Sequence, residues 1–373
     1  MTVSVAMAVY NGENFIIQQL KTLAGQSRRI DEVIIVDDGS TDRTVSLIRE
    51  FIFEYGLSHR WKVFINKERL GYVANFDRAL SLTTKDVIFL CDQDDIWHLD
   101  KVERLMQIMD RHEEVLAVAS TYNCIDDGGH RIDTRSPILT ANHGLIMLKN
   151  YRSGCLYKIK RNDILERCIS MGCTTCYRRR VVEEYLRLKQ QFNKYCAAGD
   201  EINKVSHDWF LDIVAGLNDG MYFANEPLVG YRIHSGNTIG IKTNSEDIGL
   251  DYRIGEYEKY IETYEIMAQL LSQEPVRDLR RKWEDIEDSK ETVLHDRAAK
   301  HVVRWSKFIK ERRKALSNQS VESVVKTGLK SIPTLGIKSA LAIPDAMTIR
   351  RECNSKKTDI EQQNKDSKRE TKE

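Results

Sequence analysis

No run of about 18 apolar residues occurs in this 373-residue chain, so the sequence offers no segment able to cross a bilayer as a helix. Residues 1–9 carry no basic leader and are too short for a secretion signal; they read as the first strand of a fold. The eight cysteines are scattered, a pattern expected of a reducing cytoplasm and not of a disulfide framework. Cys173 and Cys176 have metal-ligand spacing, but no second CxxC or HxxxH supplies the other two ligands of a structural zinc. No GxGxxG follows the first strand, which disfavours a dehydrogenase. No nucleic-acid reader motif and no internal repeat is found, and the net charge of +1 points to no partner.

What is present is enough for a large core. Apolar residues make up 41% and charged residues 30% of the chain. Residues 3–9, 33–36, 61–65, 87–91 and 115–120 are short apolar or β-branched runs. Between them, residues 13–24, 45–55, 75–82 and 101–111 carry apolar side chains at helical spacing. This alternation predicts βαβ units and a mostly parallel sheet. Later, 221–223 and 228–233 read as two strands, and 206–211 opens a short helix.

In such sheets ligands bind beyond the carboxyl ends of the strands. Polar clusters sit at three of those ends: Tyr10-Asn11, Asp37-Asp38 and Asp92-Gln93-Asp94-Asp95. Three carboxylates in four positions repel one another unless a cation shares them, and a hard divalent ion is the natural guest. The alternative is a solvated acidic turn, with Asp95 capping the helix that follows Trp97. Asp37 reads as turn chemistry, with Ser40 or Thr41 as the N-cap of the next helix.

The ordered set of motifs resembles the family 2 glycosyltransferases with a GT-A fold. It comprises Tyr10-Asn11, Val36-Asp37-Asp38-Gly39-Ser40-Thr41-Asp42, Gly71 with Asn75-Phe76, Asp92-Gln93-Asp94-Asp95-Ile96-Trp97, residues 172–178, His207-Asp208-Trp209 and residues 231–237. The resemblance spans residues 1 to 241, and the DQDDxW, HDW and YRxHxGN forms are most similar to a bacterial rhamnosyltransferase branch. It implies an α/β GT-A catalytic domain over 1–245. Beyond it, 246–350 is expected to be helical and basic, and 351–373 a disordered tail.

The resemblance also implies roles. Asp38 would accept the imide N–H of a pyrimidine base on which Tyr10 stacks. Ala8, Asn75 and Asp92 would complete the nucleotide site, although Ala8 stands where many relatives have Thr or Ser. Asp94 would hold Mn²⁺ or Mg²⁺, with His234 as a further ligand. Asp208 would be the general base of an inverting transfer, and Trp209 would pack under the acceptor site or into the core. Arg232 is a further candidate for phosphate contact, as are Arg178 to Arg180, for which a surface basic run is the equal alternative. The donor would be a dTDP- or UDP-sugar, with rhamnose favoured, and the acceptor a growing cell-surface or lipid-linked glycan. A sugar nucleotidyltransferase would need a Gly-rich basic loop after strand one, which is not there; a non-catalytic sugar-nucleotide-binding module is the other alternative.

Residues 297–351 carry thirteen Lys and Arg against three acids. Such a segment suits either contact with an anionic membrane surface or a solvated helical pair; membrane contact is favoured, which would make the protein peripheral at the inner face of the cell membrane.

Overall fold

The computed structural model describes residues 1–132, 152–166, 168–195, 201–237, 250–272 and 288–317. The apolar stretch 318–347, Gly240 and the expected tail lie outside the described residues. The chain divides into two compact units, Met1–Ile241 with Gln273–His295, and Lys242–Ser272 with Asp296–Glu373.

The first unit is α/β. Its elements run β1 (Val3–Val9), α1 (Ile16–Ala24), β2 (Glu32–Asp37), α2 (Thr44–Glu54), β3 (Trp61–Ile65), α3 (Tyr72–Leu82), β4 (Val87–Cys91), β5 (Ile96–Trp97) and α4 (Lys101–Arg111). There follow β6 (Ala117–Ile125), β7 (Leu156–Lys158), α5 (Arg161–Glu166), β8 (Thr175–Arg178), α6 (Arg179–Tyr195), α7 (His207–Leu217) and β9 (Met221–Arg232). The sheet order is β3-β2-β1-β4-β8-β6-β9-β5, with β7 also on β9.

Strands β3, β2, β1 and β4 are mutually parallel. Every residue of β2 and β4 is buried, as strands covered on both faces by crossover helices must be. Strand β8 joins β4 and β6 antiparallel, while β6 and β9 run parallel. The sheet is therefore mixed, with a parallel half built from the first four strands of the path. The two late strands expected from the sequence are one, since β9 continues through Asn225, Glu226 and Pro227. A register shift between Ser120 and Tyr122 of β6 absorbs that irregularity and lets both strands extend.

Helix starts also differ from expectation. Helix α2 begins at Thr44 with Arg43 before it, so neither Ser40 nor Thr41 caps it. Asp42 does that work instead, accepting the Thr44 amide at 2.9 Å. Helix α3 begins three residues before Asn75, directly after Gly71, whose φ of 82° is a left-handed value that favours glycine.

The second unit holds α8 (Leu250–Ser272) and most of α9 (Asp288–Ser317). Within it Trp305 Nε1 donates to Tyr264 Oη at 3.0 Å, and Glu265 and Glu258 of α8 pair with Lys310 and Arg313 of α9. No described helix is long and apolar enough to cross a membrane.

Candidate active site

The parallel half of the sheet brings the carboxyl ends of β1, β2 and β4 side by side, and the polar clusters follow. Gln93 ties two of them together: its Oε1 accepts from the Tyr10 amide at 2.8 Å and its Nε2 donates to the Tyr10 carbonyl at 3.0 Å. Sequence reasoning gave Gln93 no role, yet it is a backbone splint that sets the height of the Tyr10 ring. Gly12 leaves room for it, because a Cβ there would lie 2.4 Å from the Gln93 side-chain oxygen. The guanidinium of Arg69, a further residue not singled out, sits 4.0 Å from the centre of the Tyr10 ring. Ala8, half-buried, is the β1 residue paired with Val36.

Asp37 and Asp38 divide their work. Asp37 accepts from the Gly39 and Ser40 amides at 3.0 and 2.9 Å and from the Ser40 hydroxyl, so it closes the turn. Asp38 is 3% exposed and faces the loop before α3. Its Oδ1 accepts from Asn66 Nδ2 and the Leu70 amide, both at 2.7 Å, and its Oδ2 from the Gly71 amide at 2.9 Å. A carboxylate has about four acceptor positions. One remains on Oδ2. Asn75 is equally buried, with Nδ2 donating to the Val36 carbonyl and Oδ1 accepting from Asn66 Nδ2. It thus holds Asn66, which in turn donates to Asp38.

At the end of β4 the acids separate by environment. Asp94 Oδ2 lies 2.9 Å from His234 Nε2. His234 Nδ1 accepts from the Gly236 amide at 3.1 Å, which leaves the proton on Nε2, donating to Asp94. The imidazole also packs on Phe15, with ring centres 4.6 Å apart. Burial, and then Asp95, Asp94 and Asp208 nearby, push the Asp92 carboxyl well above its ordinary range. Asp95 is fully buried, and burial followed by Asp94 raises it to about 7. It caps no helix: α4 begins at Lys101 after Asp100, and Asp95 Oδ1 accepts the Arg232 amide at 3.1 Å.

Two buried cations hold this acidic turn. Lys101 is fully buried, donates to the Cys173 carbonyl and rests 3.4 Å from the centre of the Trp97 ring. Burial lowers its pKa to about 8. Arg232, also fully buried, corrects the phosphate assignment. Its guanidinium donates to the carbonyls of Asp94, Asp126 and Asp127 and to Gln18 Oε1, at 2.6 to 2.8 Å, so four of its five N–H groups are engaged within the protein. Arg178 and Arg179 are corrected likewise. Arg178 donates to the carbonyls of Met109, His112 and Val115, and Arg179 to those of Thr83 and Lys85, beside the amino end of β4.

Asp208 lies in the first turn of α7, where helix amides favour a carboxylate. Its Oδ1 accepts the Trp209 amide at 2.8 Å and its Oδ2 the Gly172 amide at 3.2 Å. Trp209 goes to the core, donating from Nε1 to the Ile164 carbonyl at 2.7 Å. His207 is buried and stacked on Phe76 with ring centres 4.0 Å apart, and burial lowers its pKa. One turn on, Asp212 is fully buried and accepts from Ser170 Oγ at 2.7 Å and Tyr177 Oη at 2.9 Å.

The donor set fits a hard cation. Asp92 and Asp94 offer oxygens, and Asp95 Oδ2 is buried with no hydrogen-bond partner among the described residues; His234 would offer Nε2 only in the other tautomer, giving up the Gly236 contact. Ligand atoms of Asp92, Asp95 and Cys173 lie within 4.8 Å of one another. Burial holds the Cys173 thiol well above its ordinary pKa, so it stays neutral and is a poor partner for Mn²⁺ or Mg²⁺. Cys176 lies in β8 with its side chain in the core, and the six cysteines among the described residues are free.

Residues 4–186 match the model of the family described as glycosyl transferase family 2. Those residues form a glycosyl transferase family 2 domain. The chain accordingly carries a glycosyltransferase domain. It is similar to the dTDP-rhamnosyl transferase RfbG of Shigella flexneri, 27% identical over 241 residues that cover 63% of this chain and 73% of that one. It is also similar to the putative glycosyltransferase EpsE of Bacillus subtilis, 30% identical over 129 residues, 35% of this chain and 46% of that one. Among solved structures it resembles S. aureus TarS residues 1–349, with a TM-score of 0.50 and 13% identity over 95% of this chain and 92% of that one, a likeness of fold.

The Asp212 environment yields a stability test. Burial raises its carboxyl to about 8 from an ordinary 3.8. The unfolded chain releases this proton near 3.8 while the folded chain keeps it to about 8, so this group lowers stability as pH rises through that window. Asp212→Asn removes the effect. The melting temperature of the variant relative to wild type should climb between pH 5 and pH 8, measured by scanning calorimetry; a constant difference across that range refutes a neutral Asp212.

Proposed function

We propose that this protein is an inverting, metal-dependent glycosyltransferase that moves a sugar from a pyrimidine-nucleotide-diphosphate donor to a glycan hydroxyl. The observation that carries the reading is the relation of Asp208 to the donor side: it is held by two backbone amides, and it lies close enough to Asp92 to raise that carboxyl. A module that only binds nucleotide-sugars needs no oriented carboxylate there.

Each residue then has a task. Tyr10, held at its backbone by Gln93, offers a ring for the base, and the open acceptor position of Asp38 suits an imide N–H. Asp94 and His234 would hold the cation, with Asp92 in support toward the ribose or metal-bound water. When bound, that ion supplies neutralising charge to the departing diphosphate. Asp208 takes the proton of the acceptor hydroxyl as its oxygen attacks the anomeric carbon. One displacement inverts the configuration, and no covalent intermediate on the protein is required. The likeness to the Shigella flexneri dTDP-rhamnosyl transferase favours dTDP-rhamnose as donor, and the acceptor in this reading is a cell-surface or lipid-linked glycan.

The second unit supports a contact with the cytoplasmic face of the membrane. Lys300, Arg304, Lys307 and Lys314 are exposed at helical spacing along one face of α9, with Val303 56% exposed among them. Cationic side chains flanking apolar surface suit anionic lipid.

Three measurements test this. A calorimetric screen of nucleotide-sugars with and without MnCl₂ identifies the donor, and Asp94→Ala should abolish the Mn²⁺-dependent part of its binding; affinity that still depends on Mn²⁺ in that variant removes Asp94 from the metal. Asp208→Asn should bind the same donor within about twofold of wild type yet lose transfer by about 100-fold or more, the contribution of a positioned base. Near-normal transfer by it rules Asp208 out. Co-sedimentation with phosphatidylglycerol vesicles should exceed that with phosphatidylcholine vesicles, and Lys300→Glu with Lys307→Glu should erase the difference; equal sedimentation with both vesicle types would dismiss the lipid contact.

A further inference from the structure

The short 3-10 turn Gly172–Thr174 touches both halves of the site. Gly172 gives its amide to Asp208 Oδ2 at 3.2 Å. The next residue, Cys173, gives its carbonyl to buried Lys101 and sets its thiol among the ligand atoms of Asp92 and Asp95. The approach at Gly172 is close: a Cβ there would lie 3.2 Å from Leu90 Cδ1 and 3.4 Å from Asp208 Cβ. The turn is therefore wedged between the end of β4 and the start of α7.

Its footing is equally defined. Met171 O accepts from the hydroxyls of Thr174 and Thr175 at 2.8 and 3.0 Å, closing the turn on itself. Two residues before Gly172, Ser170 donates to Asp212, and Tyr177 of β8 donates to the other oxygen of the same carboxyl. Asp212 is one helical turn beyond Asp208 on α7. The segment 170–177 is thus pinned to α7 at two levels, by Asp208 above and by Asp212 below. None of these residues needs to touch substrate.

We propose that Gly172–Thr174 is a positioning element that transmits occupancy of the carboxylate cluster to the orientation of Asp208, with the Ser170–Asp212–Tyr177 bonds as its anchor. A cation drawn between the β4 carboxylates changes the charge beside Cys173. That change reaches Asp208 through one peptide unit, because Gly172 and Cys173 are neighbours in the chain. The anchor prevents the turn from yielding to one side alone. The inference rests on the metal reading of the cluster given above, and its readout is separate from transfer.

Hydrogen exchange of the full chain, read by mass spectrometry with and without MnCl₂ and dTDP, tests it, with calorimetry reporting binding in parallel. In wild type, exchange in peptides covering 172–175 and 207–211 should slow about fivefold or more on binding, the low end of typical coupling between sites. Asp212→Asn keeps an acceptor and a donor for Ser170 and Tyr177, so it should keep the effect. Ser170→Ala should lose it while retaining slowed exchange around residues 92–98. Binding heat with protection confined to the cluster, or unchanged coupling in Ser170→Ala, overturns the positioning role. Absence of both heat and protection overturns the metal reading, and this proposal with it.

Discussion

Repulsion among carboxylates governs this molecule. Asp92, Asp94 and Asp95 leave β4 within four residues, and Asp208 raises Asp92 from the start of α7. Like charges in a partly dry site oppose ionisation and oppose folding. The fold answers with two buried cations. Lys101 lies beneath the cluster against Trp97, and Arg232 binds the Asp94 carbonyl while presenting its own amide to Asp95. Both spend their hydrogen bonds on backbone or on Gln18, so they steady the turn without neutralising Asp92 and Asp94. The acids left uncompensated are those that face His234 and Asp208.

That division explains which parts of the site were legible in the sequence. Strands β1, β3 and β4 and helix α4 fall where hydrophobic periodicity puts them, because buried strands and amphipathic helices write their burial into residue type. The convergence of Tyr10, Asp38 and Asp94 follows from topology, since parallel neighbouring strands end on one edge. His234 beside Asp94 was accessible only through the resemblance: the two residues are 140 positions apart and no spacing rule links them.

Side-chain direction was not legible. Arg232 sits next to a metal-site candidate in sequence, and a basic residue there invites a phosphate. The backbone turns its side chain inward, where three carbonyls and Gln18 claim it. Arg178 and Arg179 fail for a different reason. Strand β8 runs antiparallel to β4, so its carboxyl end lies at the amino end of β4, opposite the site. Asn75 shows the same limit at shorter range, one helical turn from the loop it supports. Gln93 shows the converse: a neutral residue between acids has no motif value, and its contribution appears only when its amide spans the gap to Tyr10.

The direction of Asp208 follows from the contacts that hold it: it lies in the first turn of α7, and the Trp209 and Gly172 N–H groups each donate to one of its oxygens. Asp212, one turn deeper, lacks the helix-start position and is raised to about 8, so it holds a proton. A neutral Asp212 adds no repulsion to Asp208, and still anchors through Ser170 and Tyr177 the turn that orients it. The helix thereby keeps fixed the direction of the carboxylate proposed as general base.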